Sequence, residues 1–260
     1  MAYTADGKKV KMGMYVYDRP WMSDRKIYVF GVHDKEGMID MGNGGAIDAS
    51  GTYSSKEALS EAKRVLIFGG TFDPIHNGHL IACSKVAEGL GIKRIILIPS
   101  GKHPYKHDIP APEIRMKMVE DAIEDEPLFD VCDCEFNREG FSYSADTAVW
   151  LKEDLGRKME EVYWMIGADN VTQIPKWYKA EEFVKQVRFA VANRKTDNKE
   201  FEGTYIEKDI MKMMHVTYVD SPVIEISSSM IRDRVKQGKS IKYLVPESVE
   251  KYIKDNNLYK

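Results

Sequence analysis

The sequence predicts an α/β fold, a doubly wound parallel sheet, with a small β-rich extension at its N-terminus. Three observations carry this. From Val65 onward, short apolar runs alternate with amphipathic stretches of helical period. The first run, residues 65–68, is apolar without a break, as in a strand buried on both faces. It gives way at once to Gly69 and Gly70, where a backbone turns tightly or lets a ligand approach. Alternation of this kind specifies a parallel sheet covered by helices on both sides.

Taken in order, residues 1–63 read differently from the rest. Residues 14–17 and 27–32 are β-prone, 34–37 read as a turn and 38–41 as a return strand. Glycines at 42, 44 and 45 break the chain, and Ser54 and Ser55 cap a polar helix over 56–63. This extension, too small to fold alone, is expected to pack on the main sheet or on another subunit of a homo-oligomer. In the 64–260 domain the expected strands are 65–69, 94–98, 128–132, 161–166, 188–193 and 215–219. The expected helices are 78–90, 112–124, 144–155 and 178–186, with one more at 203–214. In the first helix Leu80, Cys83, Val86, Ala87 and Leu90 share a face, with Asn77 as N-cap and Gly91 as C-terminal stop. The pattern is Rossmann-like, and such sheets bind ligands at the carboxyl ends of their strands.

Composition bounds the function. With 43% hydrophobic and 30% charged residues over 260 positions, the chain suits a globular protein with a buried core. A net charge of −3 gives no global attraction for nucleic acid or an acidic membrane, so anionic substrates need local cations and helix ends. Three cysteines argue against a disulfide framework, and Cys132-x-Cys134 lacks the second pair of a four-ligand metal site. No apolar run reaches membrane-spanning length and there is no signal-peptide core, so a cytoplasmic chain is expected.

The opening strand, glycine-rich turn and helix start form a natural phosphate cradle, because backbone N–H groups and the positive helix end converge there. The glycines match neither GxGxxG nor the P-loop GxxxxGK[ST], but His76 and His79 stand at the same mouth. The run GGTFDPIHNGHL at 69–80 resembles the N-terminal motif of the nucleotidyltransferase superfamily marked by HxGH. Within it, the sequence most resembles bacterial nicotinate mononucleotide adenylyltransferases, over roughly residues 64–260.

The resemblance implies transfer of AMP from ATP to nicotinate mononucleotide, with magnesium supplied as the counter-ion of ATP and no protein-held metal. It assigns Gly69, Gly70, Thr71, Phe72 and Gly78 to ATP, and His76 and His79 to the triphosphate bridge. Past the second strand, Lys106 matches the family's phosphate-binding lysine, while Tyr105 stands where the family has a histidine. Ser142 or Ser144 is expected to cap the helix that follows, and in the resemblance Ser144 takes the place of the family's threonine at the turn that meets the pyridine substituent. Gly167 and Asp169 match the family's glycine and aspartate that line the nucleotide site, and Trp177, with Tyr178 beside it, matches the tryptophan that stacks on the pyridine ring. Ser227, Ser228 and Ser229, opening a helix, and Arg232 one turn further on match the second superfamily motif.

The implied nucleophile is already anionic, so alignment and charge neutralisation suffice and no protein base is required. Nicotinamide mononucleotide, phosphopantetheine or cytidylyl transfer are alternatives within the same chemistry. A nucleotide-binding sensor without activity is the alternative of a different class, disfavoured by the intact His76, His79, Lys106 and Arg232. The missing GxGxxG disfavours a nicotinamide-dependent dehydrogenase.

Overall fold

The structure is a computed structural model that describes residues 11–18, 26–33, 64–102, 109–136, 138, 140–153, 159–192 and 204–260. In the extension, β1 (Lys11–Asp18) and β2 (Lys26–His33) pair antiparallel, with Lys11 opposite His33 and Asp18 opposite Lys26. These carry the β-prone runs at 14–17 and 27–32. The expected turn at 34–37, return strand at 38–41 and helix at 56–63 lie outside the described residues.

The domain is built on β3 (Val65–Gly70), β4 (Ile95–Pro99), β5 (Phe129–Val131), β6 (Val162–Gly167), β7 (Arg188–Ala192) and β8 (Val216–Val219). All neighbouring pairs are parallel, in the spatial order β5-β4-β3-β6-β7-β8. The order reverses between β3 and β6, and a ligand crevice opens at such a point beyond the carboxyl ends. Every strand falls within two residues of its expected bounds, because β4 and β6 are buried almost throughout, β3 is buried over its first three residues, and all three open as continuous apolar runs.

The helices are α1 (Asn77–Leu90), α2 (Pro112–Ile123), α3 (Ser144–Glu153), α4 (Ala180–Val184), α5 (Tyr205–Met213), α6 (Ser228–Lys236) and α7 (Glu247–Asp255). Two apolar cores sandwich the sheet. One joins Leu66, Ile95, Leu97, Cys83, Val86, Val119, Val249 and Ile253; the other joins Ile67, Ile96, Trp164, Ile166, Leu151 and Phe183. Gly91, at φ 64, ends α1 as expected.

Two expectations are corrected here. The helix expected at 178–186 shrinks to α4, preceded by a 3-10 stretch, Ala168–Lys176, that contains Pro175. Lys179 at φ 48 breaks the helical path, so Trp177 and Tyr178 precede α4 instead of beginning it. The expected cap of α3 by Ser142 or Ser144 is replaced by Tyr143, whose carbonyl accepts the amides of Asp146 and Thr147 at 3.1 and 3.2 Å. The Ser142 hydroxyl donates to the Glu135 carbonyl instead, at 3.1 Å. Among the described residues, no helix is long and apolar enough to cross a membrane.

Candidate active site

The loop between β3 and α1 runs through Phe72, a buried residue at φ 49, and a cis peptide between Asp73 and Pro74. Left-handed backbone at a bulky residue costs about 1–2 kcal/mol, so the surroundings must hold it. At the helix start the expected cap is corrected: His76, not Asn77, is the N-cap. Nδ1 of His76 accepts the His79 amide, and Nδ1 of His79 accepts the His76 amide, each at 3.3 Å. This capping box brings the rings into a stack with centroids 3.5 Å apart and planes 17° from parallel. Gly78 makes the stack possible, since a Cβ there would meet Nδ1 of His76 at 3.0 Å. Asn77 turns away, its side chain donating to the Tyr243 carbonyl at 2.8 Å and its amide to the Leu244 carbonyl at 2.9 Å.

The cap determines the protonation of both rings. Each Nδ1 is an acceptor, so the proton of each neutral imidazole is assigned to Nε2. Burial lowers the pKa of His76 from 6.5 to about 4, and burial together with the His76 charge holds that of His79 well below its ordinary value. At neutral pH the pair therefore offers two uncharged Nε2–H donors, bracketed by the edge of the Phe72 ring, 5.4 Å from His79.

The second expected motif closes onto this loop. Ser227 caps α6 by accepting the Met230 amide at 3.2 Å, and the Ser228 hydroxyl donates to the Pro74 carbonyl at 2.9 Å. Arg232 reaches across to donate from Nη1 to the Asp73 carbonyl at 2.8 Å and from Nη2 to the Ser229 hydroxyl at 3.2 Å. The Asp73 carboxylate lies 3.5 Å from the same guanidinium and accepts the Tyr259 hydroxyl at 2.7 Å. Residues 69–79 and 227–232, far apart in sequence, thus form one site.

The remaining expected residues stand at neighbouring strand ends. Gly70 accepts the Ser100 amide at 2.8 Å, which ties the loops after β3 and β4. Lys102 is exposed, its ammonium 5.5 Å from the Phe141 ring. Lys106 and Tyr105 lie outside the described residues. Gly167 ends β6, and a Cβ there would meet the Asp169 carboxylate at 2.6 Å, with Asp169 itself exposed. Trp177 is partly buried, its ring 13° from parallel to that of Phe183 at 6.0 Å, so the core backs one of its faces. Tyr178 goes elsewhere, exposed and stacked on Tyr143, in the turn just before Ser144, at 4.3 Å.

Sequence reasoning missed several residues. Glu135 is a buried carboxylate whose pKa burial raises; it accepts the Gly101 amide at 3.2 Å and the Thr147 hydroxyl at 2.7 Å. It joins the loop after β4 to the turn before α3. Arg115 is fully buried beneath the phosphate loop. It occupies the core register of α2 with Met118 and Val119, and a charge at a core position is the signal that would have found it. Tyr259 and Asp73 stand 186 residues apart, and no local pattern connects them. Cys132 and Cys134 are free thiols just past β5.

A sheet with this switch point, a phosphate loop and a facing serine–arginine helix defines a nucleotide-binding α/β protein. The chain belongs to the cytidylyltransferase-like family, whose model matches residues 67–234. Within it, the chain resembles proteins named probable nicotinate-nucleotide adenylyltransferase. That of Dehalococcoides mccartyi strain CBDB1 is 42% identical over 195 residues, covering 74% of this chain and 95% of the relative. That of Caldicellulosiruptor bescii is 39% identical over 203 residues, covering 76% and 99%. Among solved structures, the Plasmodium falciparum nicotinic acid mononucleotide adenylyltransferase complexed with NaAD shares the fold, with a TM-score of 0.61 at 22% identity over 75% of this chain and 97% of that one.

Proposed function

We propose that the protein is a nicotinate-nucleotide adenylyltransferase, which transfers AMP from ATP to nicotinate mononucleotide in the synthesis of NAD. A phosphate oxygen of the mononucleotide attacks the α-phosphorus of ATP. A P–O bond forms there as the bond to the β-phosphate bridging oxygen breaks, and pyrophosphate leaves with that electron pair. The observation that carries the reading is the joining of the two motifs, with Arg232 bound to the Asp73 carbonyl across from the paired histidines.

In this reading the Nε2–H groups of His76 and His79 donate to the bridging and non-bridging oxygens where charge accumulates, and being neutral and held by their caps they need no reorganisation. Arg232 and Lys106 receive the β- and γ-phosphates, with the hydroxyls of residues 227–229 and the amides of residues 69–72 beside them. Gly78 leaves room for the histidine pair. Magnesium would be supplied as the counter-ion of ATP and would neutralise part of the triphosphate charge, while Asp73, the loop's own carboxylate, is engaged by Arg232 and Tyr259. Trp177, braced by Phe183, stacks on the pyridine ring, while Ser144, Gly167, Asp169 and Tyr178 surround the mononucleotide. The test supplies ATP with nicotinate mononucleotide, nicotinamide mononucleotide or phosphopantetheine and follows pyrophosphate. Fastest release with the nicotinate acceptor is expected; release favouring another acceptor reassigns the substrate, and none with any acceptor supports a binding protein.

A further inference from the structure

Arg115 presents an anomaly. It projects from α2 into the core with no exposed surface, and burial lowers its pKa against the opposing charges of Asp73, Glu113 and Glu135, none of which forms an ion pair with it among the described residues. A guanidinium in that setting is costly, and Met or Leu would fill the same register. Its partners are three carbonyls from two connections at the carboxyl edge of the sheet, Thr71 between β3 and α1 and Ser100 and Pro110 between β4 and α2. Nη1 donates to Thr71 at 2.8 Å, Nη2 to Ser100 at 2.8 Å and Nε to Pro110 at 3.0 Å. The Phe136 ring lies 5.8 Å from the guanidinium carbon.

These bonds act on the phosphate loop. A planar trans peptide points its N–H opposite to its C=O, so holding the Thr71 carbonyl beneath the loop directs the Phe72 amide away from the core. The next residue is the one with left-handed backbone, Phe72. Ser100, held by its carbonyl to Arg115, donates its own amide to Gly70, so the guanidinium braces the loop at two successive residues.

We infer that Arg115 is a positioning residue for adenylyl transfer, fixing the peptides of residues 70–72 so that their amides meet the triphosphate. The inference rests on the proposed function. The test uses the full chain with Arg115→Lys and Arg115→Met. An ammonium cannot span three carbonyls as the planar fork does. Arg115→Lys is expected to fold, with kcat lowered roughly 10–100-fold and KM for nicotinate mononucleotide within about two-fold of the parent's. Parental kcat in either folded variant would overturn the inference. So would a rise in mononucleotide KM matching the kcat loss, or failure of both variants to fold, which would make Arg115 a residue of stability alone. If the parent itself releases no pyrophosphate, the functional reading fails, and calorimetry with a non-hydrolysable ATP analogue decides instead. Weaker analogue binding by Arg115→Lys then supports the positioning role, and equal binding overturns it.

Discussion

Replacing His76 by Asn tests the histidine pair through the pH dependence of stability. Asn is among the best N-caps, so the helix start keeps an acceptor for the residue-79 amide. In the folded chain His76 titrates at about 4, against 6.5 when unperturbed, because burial disfavours its charged form. Between those values the unfolded chain binds more protons than the folded one. The stability that His76 contributes is therefore fully present above pH 6.5 and is lost as pH falls toward 4. Linkage over that shift amounts to about 2 kcal/mol lost between about pH 7 and pH 5. His79, also held below its ordinary value, adds a loss of the same sign. Urea unfolding of parent and variant at the two pH values measures the difference. The variant pays a pH-independent amount for the smaller side chain, but its further loss on acidification should be smaller than the parent's by about 2 kcal/mol, at unchanged m. An equal loss in both proteins would refute the assignment of a buried, neutral His76, and with it the Nε2–H donors.

Two further substitutions probe the mononucleotide side. Gly101→Ala places a Cβ 2.3 Å from the Glu135 carbonyl oxygen and 2.6 Å from the Ser142 hydroxyl. It should destabilise by about 1–3 kcal/mol and raise KM for the mononucleotide more than KM for ATP, because the turn before α3 must move; unchanged melting would contradict the packing described. Trp177→Ala removes a ring contact of about 0.5–1.5 kcal/mol, so KM for the mononucleotide should rise roughly three- to ten-fold with KM for ATP nearly constant. Equal effects on both would make Trp177 a core residue only.

The sheet was legible because central strands such as β3 and β4 read as unbroken apolar runs, at 65–68 and 95–98. The two phosphate motifs were legible as well, since glycines, serines and histidines cluster there in short spans. Their mutual contact was not, because Arg232 and Asp73 are 159 residues apart. The N-cap was misplaced because imidazole caps are uncommon, and Asn77 is the ordinary choice at that position. The helix at 178–186 was over-extended, since helical spacing alone does not register the left-handed Lys179. Arg115 went unnoticed although its register with Met118 and Val119 marked it as a charge on a core face.

The account's central claim is that the joined loop and serine–arginine helix transfer AMP with neutral histidines as donors. Its most direct test is a single-turnover reaction of α-phosphorus-labelled ATP with nicotinate mononucleotide, run with the parent and with His79→Ala. The account predicts label in nicotinate adenine dinucleotide, one pyrophosphate per dinucleotide, and a transfer rate roughly 100-fold or more lower in His79→Ala at little-changed mononucleotide affinity. Label absent from the dinucleotide, or transfer by His79→Ala at the parent's rate, would contradict it.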